Sequence, residues 1–212
     1  PDRCPACDTP VVQPEGEVQI RCPNRSCPAQ IQQGLFHFAS RGAMDIEGLG
    51  EKTIQRFFEE GLVTSFADIY DLHRHRERLV AMEGFKDVSV DNLLSAIEAS
   101  KTRAWSRTLY GLGIRHVGEQ VAALLARHYS TWEAFEQATT HAEPGNEAWH
   151  QLTSIDGIGD VVAHSLTEAF RNPAERQAID ALVAELQVQP VLARPVADSP
   201  VAGLTLVFTG TL

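Results

Sequence analysis

The residues best suited to chemistry in this sequence are four cysteines, all within the first 27 positions. They form two close pairs: Cys4 and Cys7 are separated by two residues, and Cys22 and Cys27 by four. Fourteen residues lie between the pairs. Two thiol pairs at this separation are typical of a structural zinc site with four sulfur ligands. Such a site has no open coordination position, so we expect it to support folding and not catalysis.

Two other uses of the cysteines are open at this point. Two disulfides in a small secreted domain would employ the same pairs, although residues 28–212 contain no cysteine, which is unlike a disulfide-rich scaffold. A mixed metal site could include His37. Between the pairs, four β-branched residues predict two short strands joined by a turn at residues 14–17: Val11, Val12, Val18 and Ile20.

These cysteines precede an internal repeat. Four five-residue segments, at 46–50, 82–86, 114–118 and 155–159, are apolar at their first and fourth positions. Glycine occupies the third position in three copies and the fifth position in three copies. The fourth and seventh residues after each segment are again apolar or alanine, the spacing of one buried helix face. Because the copies lie 36, 32 and 41 residues apart, each unit is predicted to be a helix, a glycine-bearing turn and a second helix.

Apolar-x-Gly-apolar-Gly before an amphipathic helix resembles the helix-hairpin-helix motif of DNA-binding proteins. Glycine permits a tight turn and a close approach of the backbone to a ligand. The amides at the start of the second helix can then bind a phosphate without reading the base sequence. The candidate DNA-binding glycines are Gly48, Gly50, Gly84, Gly118, Gly157 and Gly159.

The four copies differ at their glycine positions. Lys86 replaces the second glycine of copy two, and His116 replaces the first glycine of copy three. A residue with a side chain is disfavoured where φ is positive. We therefore expect copies one and four to be the least altered hairpins and copy two to be chiefly structural.

Charge places a second constraint on a DNA-binding interpretation. The net charge is −10, which argues against a general polyanion binder. Residues 101–118, however, contain four basic residues and no acidic one. These residues are candidate phosphate contacts: Lys101, Arg103, Arg107 and Arg115. Trp105 and Tyr110 lie among them, and the alternative is that both aromatic residues are core and the charges are simply solvated.

The remaining sequence predicts a closing helix and a truncated domain. Residues 174–188 carry an apolar helical face, and a proline-bearing linker follows at 190–200. Residues 201–212 resemble the first strand and Thr-Gly turn of a BRCT domain. The chain begins without Met and ends after this strand-like run, so we expect it to be a fragment of a longer protein. No apolar run approaches the length of a membrane helix.

The order of these modules resembles the C-terminal part of a bacterial NAD-dependent DNA ligase. The resemblance implies a mainly α fold: a zinc module at 1–33, a domain of four helix-hairpin-helix motifs at 34–189, the linker at 190–200 and the BRCT start at 201–212. It implies that the complete enzyme seals nicks in duplex DNA during replication and repair, taking AMP from NAD with Mg²⁺. Zn²⁺ would belong to this chain, whereas NAD and Mg²⁺ would belong to domains outside it.

The family's adenylated lysine is absent from this sequence. Its Lys-x-Asp-Gly motif has no match, because Ser154 occupies the lysine place before Asp156 and Gly157, the only Asp-Gly pair. The chain alone is therefore expected to be inactive in ligation and to bind nicked duplex beside missing adenylation and oligonucleotide-binding domains. We expect a monomeric, cytoplasmic, nucleoid-associated protein without a membrane partner. A non-catalytic repair or recombination factor and a protein-interaction scaffold are the alternative functions.

Overall fold

The structure, a computed structural model, describes residues 2–13 and 18–191. The turn predicted at 14–17, most of the linker and the predicted BRCT strand lie outside the described residues. None of the described helices is long and apolar enough to cross a bilayer. The α-helices, with a 3-10 turn at Leu72–His75, are α1 (Pro28–Ala39), α2 (Glu51–Glu59), α3 (Phe66–Asp71), α4 (Arg76–Ala81), α5 (Asp87–Ser100), α6 (Trp105–Gly111), α7 (Glu119–Tyr129), α8 (Trp132–His141), α9 (Glu147–Thr153), α10 (Asp160–Arg171) and α11 (Pro173–Glu185).

The mainly helical fold class is confirmed, and each repeat forms two helices joined by a turn. Hairpin one comprises α1 and α2, hairpin two α4 and α5, hairpin three α6 and α7, and hairpin four α9 and α10. In every case the second helix begins directly after the five-residue segment. The apolar residues four and seven positions after each segment are all buried: Ile54, Phe57, Val90, Leu93, Ala122, Leu125, Ala163 and Leu166.

The hairpins pack as two pairs, each around its own core. The first core joins apolar residues of hairpins one and two, between positions 35 and 97. The second joins hairpins three and four, between positions 105 and 179. Trp105 is fully buried there and stacks on Phe135 with ring centroids 5.1 Å apart. Leu112 packs against both cores, so the two pairs meet at the end of α6.

Helix α11 connects the two pairs. The side chain of Asn172 caps its first turn by accepting from the amides of Ala174 and Glu175. Further along the helix, Ile179 enters the second core and Leu182 enters the first. The predicted helix at 174–188 is thus confirmed with slightly earlier ends, and α11 ties the array together.

The segment after α11 runs beside the connection between the two hairpin pairs. The Gln187 amide donates to the carbonyl oxygen of Lys101 at 2.9 Å, and Gln189 forms a parallel bridge with Ala104. The Val191 amide donates to the carbonyl oxygen of Ser130 at 2.9 Å. These backbone bonds hold the start of the predicted linker on the hairpin domain.

The zinc module continues directly into hairpin one. Helix α1 begins at Pro28, so the boundary expected at residues 33 and 34 falls inside a helix. Among the described residues of the module, the two expected strands are replaced by isolated bridges, Arg3 with Pro10 and Val12 with Arg21. The expected strand pair is thus reduced to the antiparallel pairing of Val12 with Arg21, whose amides and carbonyls bond reciprocally at 2.7 and 2.8 Å, while Val18 and Ile20 are exposed.

Candidate metal centre and nucleic-acid interface

The four cysteines converge on one point. Their Sγ atoms all lie within 4.8 Å of one another, and all four thiols are free. The Cys4 and Cys27 sulfurs are 3.8 Å apart, and the Cys7 and Cys22 sulfurs are 3.5 Å apart. Four thiolates around a tetrahedral Zn²⁺, with Zn–S bonds of about 2.3 Å, would have sulfurs about 3.8 Å apart. The donor set and its spacing therefore fit a four-thiolate zinc site, and the disulfide alternative does not describe this structure.

Tight turns of the backbone place the ligands. In the first arm, the Cys4 amide donates to the Thr9 carbonyl at 2.9 Å, and the Asp8 amide donates to the Cys4 carbonyl at 2.9 Å. Asp8 adopts a positive φ of 55° to complete this turn. In the second arm, Cys27 is the residue that precedes α1, and Pro28 begins the helix. A metal at this site would therefore fix the start of hairpin one.

The thiols of the cluster differ in their acidity. Hydrogen bonding to the hydroxyl and backbone of Thr9 lowers the pKa of the Cys7 thiol to about 6. Burial raises the pKa of the Cys22 thiol to about 12. Cation binding displaces such protons, since thiolates are the metal ligands. The alternative ligand His37 is engaged elsewhere: its Nε2 donates to the Tyr110 carbonyl at 2.8 Å, and the two rings pack edge to face.

The four hairpin turns share one backbone geometry. The third residue of each segment has a positive φ: 87° at Gly48, 83° at Gly84, 61° at His116 and 91° at Gly157. The fifth residue is extended, so Lys86, with φ of −131°, is unstrained there. The expectation that Lys86 disturbs the turn was wrong in its reason, because the fifth position does not require glycine. The strained substitution is His116, in hairpin three.

Glycine at the fifth position instead leaves the space around the hairpin tip unoccupied. A Cβ added to Gly50, Gly118 or Gly159 would meet no atom within 4 Å. Two of the third-position glycines pack more closely: a Cβ on Gly48 would lie 3.5 Å from Leu93, and one on Gly157 would lie 3.1 Å from Leu124. A Cβ on Gly84 would meet no described atom within 4 Å, so only its positive φ of 83° favours glycine there. The turn positions thus divide into glycines that the fold requires and glycines that keep the hairpin tip accessible.

The helices that begin at these tips are also uncapped. Helices α2, α7 and α10 start after Gly50, Gly118 and Gly159, and no described side chain caps them. Four other helices, α3, α8, α9 and α11, each begin with a side chain that accepts a first-turn amide: Ser65, Thr131, Asn146 and Asn172. Helices α1, α4 and α6 have no such cap among the described side chains, but they do not begin at a glycine turn. The uncapped first turns leave amide donors and the positive end of the helix dipole available to an anion.

The basic residues of 101–118 have partners within the protein. Lys101 pairs with Glu98 at 2.8 Å, and Arg103 pairs with Asp45 at 3.1 Å. The guanidinium of Arg107 donates to two backbone carbonyls near the end of α1. Arg115 is exposed in the turn of hairpin three. Their role as phosphate contacts stays a prediction.

The aromatic residues of this stretch are part of the packing. Trp105 is fully buried, and its indole donates to the Ser130 carbonyl at 3.0 Å. Tyr110 is half-buried against His37.

Sequence reasoning missed two basic residues. Lys52 is exposed in the first turn of α2, two residues after Gly50, and the repeat frame itself would have located it. Arg25 in the second cysteine arm pairs with Glu168, 143 residues away. No local sequence signal could reveal a pair at that separation.

Comparison with known families assigns these features. Residues 3–29 match the NAD-dependent DNA ligase C4 zinc finger domain. Residues 41–99 match a SAM-like helix-hairpin-helix tandem, and residues 107–179 match a helix-hairpin-helix motif family.

Curated relatives named DNA ligase align with the whole of this chain. The chain is 47% identical over 218 residues to a DNA ligase of Cereibacter sphaeroides and 47% identical over 224 residues to one of Nitrobacter winogradskyi. It is 44% identical over 219 residues to a DNA ligase of Symbiobacterium thermophilum. In each case all of this chain is covered, and the chain spans only about a third of the relative's length, 31%, 31% and 30% respectively. The ligase-type zinc finger, the paired hairpins and the alignment over the whole of this chain together show that it belongs to the NAD-dependent DNA ligase family, as a DNA-binding portion of it.

Proposed function

We propose that this chain grips duplex DNA around a nick, so that the complete protein can seal it. The complete protein would transfer AMP from NAD to the 5′-phosphate and then form the phosphodiester bond, with NAD and Mg²⁺ held by domains outside this chain. Zn²⁺ would be held here by Cys4, Cys7, Cys22 and Cys27. The observation that carries the DNA grip is the coincidence, at three hairpin turns, of an open glycine position with an uncapped first helical turn behind it.

The proposed binding would contact the sugar-phosphate backbone of the DNA and would not read its base sequence. Amides at the start of α2, α7 and α10 are hydrogen-bond donors for phosphate oxygens, and such bonds carry no base information. This mode requires no excess of basic residues, which agrees with the net charge of −10. Arg115 and Lys52 are exposed beside two of these tips and would add salt-dependent attraction.

The test is to block the open tips. Gly50→Val and Gly159→Val each add a side chain where the backbone is extended and nothing lies within 4 Å, so folding should persist. Ser95→Val, at an exposed site in the middle of α5, is the matched control. The double glycine variant should bind a nicked duplex at least about ten-fold more weakly, as expected for losing charge-assisted hydrogen bonds. Wild-type affinity in the folded double variant would contradict the proposal.

Nick recognition and ligation need separate measurements. Affinities for nicked duplex, intact duplex and single strand should decrease in that order. The full-length protein should join a nicked strand in the presence of NAD, whereas this chain alone should not. The monomeric state and the cytoplasmic, nucleoid-associated location belong to the same proposal, and sedimentation at several concentrations tests the first of them.

A further inference from the structure

Arg25 lies at a position that the metal ligands determine. It is within the short second arm, between Cys22 and Cys27. Asn24 shapes this arm: its carbonyl accepts from the Cys27 amide at 3.0 Å, and its side-chain oxygen accepts from the Ser26 amide at 3.0 Å. Because both ends of the arm are ligands, the location of Arg25 depends on an intact cysteine cluster.

The guanidinium of Arg25 reaches two carboxylates on the far end of the chain. It donates to Glu168 of α10 at 3.0 Å, and it forms an ion pair with Glu175 in the first turn of α11. Helix α10 is the second helix of hairpin four, and its open tip is at Gly159. One arginine therefore joins the zinc module to the helix that would present a phosphate site.

Helix α11 extends this connection to both hairpin pairs. Ile179 lies in the second core and Leu182 in the first. Arg176, next to Glu175, pairs with Glu136 of α8 and donates to the Thr140 hydroxyl at 3.0 Å. Through Glu175, the zinc module is thus attached to α11, the helix that contacts both hairpin pairs.

No described residue of the two cysteine arms belongs to either hydrophobic core. A cleft of about 950 Å³ is lined by Cys22 and Pro23 of the second arm and by Gly113 and Ile114 of hairpin three, and Arg25 also lines it. The side chains of Arg25 and Glu168 are 57% and 69% exposed, and ion pairs of such exposure add little to stability. The Glu175 side chain is only 24% exposed, so the Arg25–Glu175 contact is less screened by solvent and is the one that can orient the arm.

We propose that Arg25 is a positioning residue: it orients the zinc module on α10 and α11 and so fixes the arrangement of the hairpin tips that bind DNA. The inference rests on the proposed DNA grip. Zinc would be coupled to DNA affinity through this contact, although no zinc ligand touches DNA. Such coupling is reciprocal, so bound DNA should also slow the loss of zinc.

Charge reversal separates positioning from direct phosphate contact. In the zinc-loaded chain, Arg25→Glu should weaken binding to a nicked duplex by about five-fold or more, the lower range of site coupling. Combining it with Glu175→Arg restores the ion pair with Glu175 at unchanged net charge and should recover most of the lost affinity, although Glu168 then faces a carboxylate. Arg3→Glu makes the same charge change in the first arm, where Arg3 pairs locally with Asp8 at 2.9 Å, and should change affinity by less than about two-fold.

Zinc content and circular dichroism are measured for each variant. If Arg25→Glu loses zinc, Arg25→Gln is used instead, because it removes the ion pair without placing a negative charge near the zinc ligands. The affinity of the Arg25→Gln variant for nicked duplex then tests the inference. Unchanged affinity in both variants would overturn the inference. Failure of the double variant to recover, with a salt slope lower by about one, would show that Arg25 contacts phosphate itself. If the wild-type chain does not bind nicked duplex at low salt, the proposed function fails instead.

Discussion

The guanidinium of Arg107 donates to the carbonyl oxygen of Ala43 at 2.6 Å, across 64 residues of sequence. It also donates to the Arg41 carbonyl at 2.5 Å. Both carbonyls belong to the turn between the helices of hairpin one. The polar backbone groups of this turn need hydrogen-bond partners, and Arg107 supplies them. A residue selected by its charge as a phosphate contact thus also joins hairpin three to hairpin one.

Arg107→Met should destabilise the chain. Loss of charged hydrogen bonds to backbone carbonyls costs about 1.5–3 kcal/mol in the free energy of unfolding. Urea unfolding followed by circular dichroism measures this loss, and Arg127→Met, at an exposed site in α7, is the control. A variant with normal stability but weakened DNA binding would identify Arg107 as a phosphate contact after all.

Gly157→Val should destabilise hairpin four, in contrast to Gly159→Val. The φ of Gly157 is 91°, and its added Cβ would lie 3.1 Å from Leu124. A left-handed conformation costs a residue with a side chain about 1–2 kcal/mol, before any clash is counted. Thermal unfolding should therefore shift clearly for Gly157→Val and little for Gly159→Val. Equal shifts would show that the two turn positions are not distinguished as described.

Asp68 should contribute stability only above acidic pH. Burial raises the pKa of its carboxyl, but hydrogen bonds from Thr64 and Ser65 outweigh burial and lower the pKa below its ordinary value of 3.8. A lowered folded-state pKa means that the contribution is present above the unfolded value and is lost as pH falls through the folded value. Asp68→Ala should cost about 1 kcal/mol at neutral pH, as other helix caps do. Urea unfolding near pH 2 should show almost no difference from wild type, and an undiminished difference there would contradict this assignment.

Metal analysis should find one zinc ion per chain. Cys7→Ser and Cys22→Ser should lose it, whereas His37→Ala should retain it, since His37 is bonded to the Tyr110 carbonyl. Acidification should release the metal, because protons compete with zinc for the thiolates. Chelation should increase hydrogen exchange at the start of α1, which follows Cys27 directly. A zinc-free preparation that contains two disulfides would exclude the site.

Local patterns predicted much of this molecule. Cysteine spacing predicted the cluster, and the repeat frame predicted the four turns and the buried residues of each second helix. The frame could not reveal that Lys86 is extended, because φ depends on where the turn ends and the helix begins. The sequence could not predict the partners of Arg25 and Arg107 either, since these contacts span 143 and 64 residues. Periodicity reports which face of a helix is buried, not which distant turn a long side chain reaches.

Because α11 contributes one residue to each hydrophobic core, it limits which changes the hairpin array can accommodate. In an open solenoid each repeat contacts only its neighbours, so repeats can be gained or lost at the ends. Here Ile179 and Leu182 require the two cores to lie within one helix length of each other. Inserting or deleting a hairpin would separate these two residues from their partners. The four hairpins are therefore coupled through α11, whereas a turn residue such as His116 can depart from glycine without touching either core.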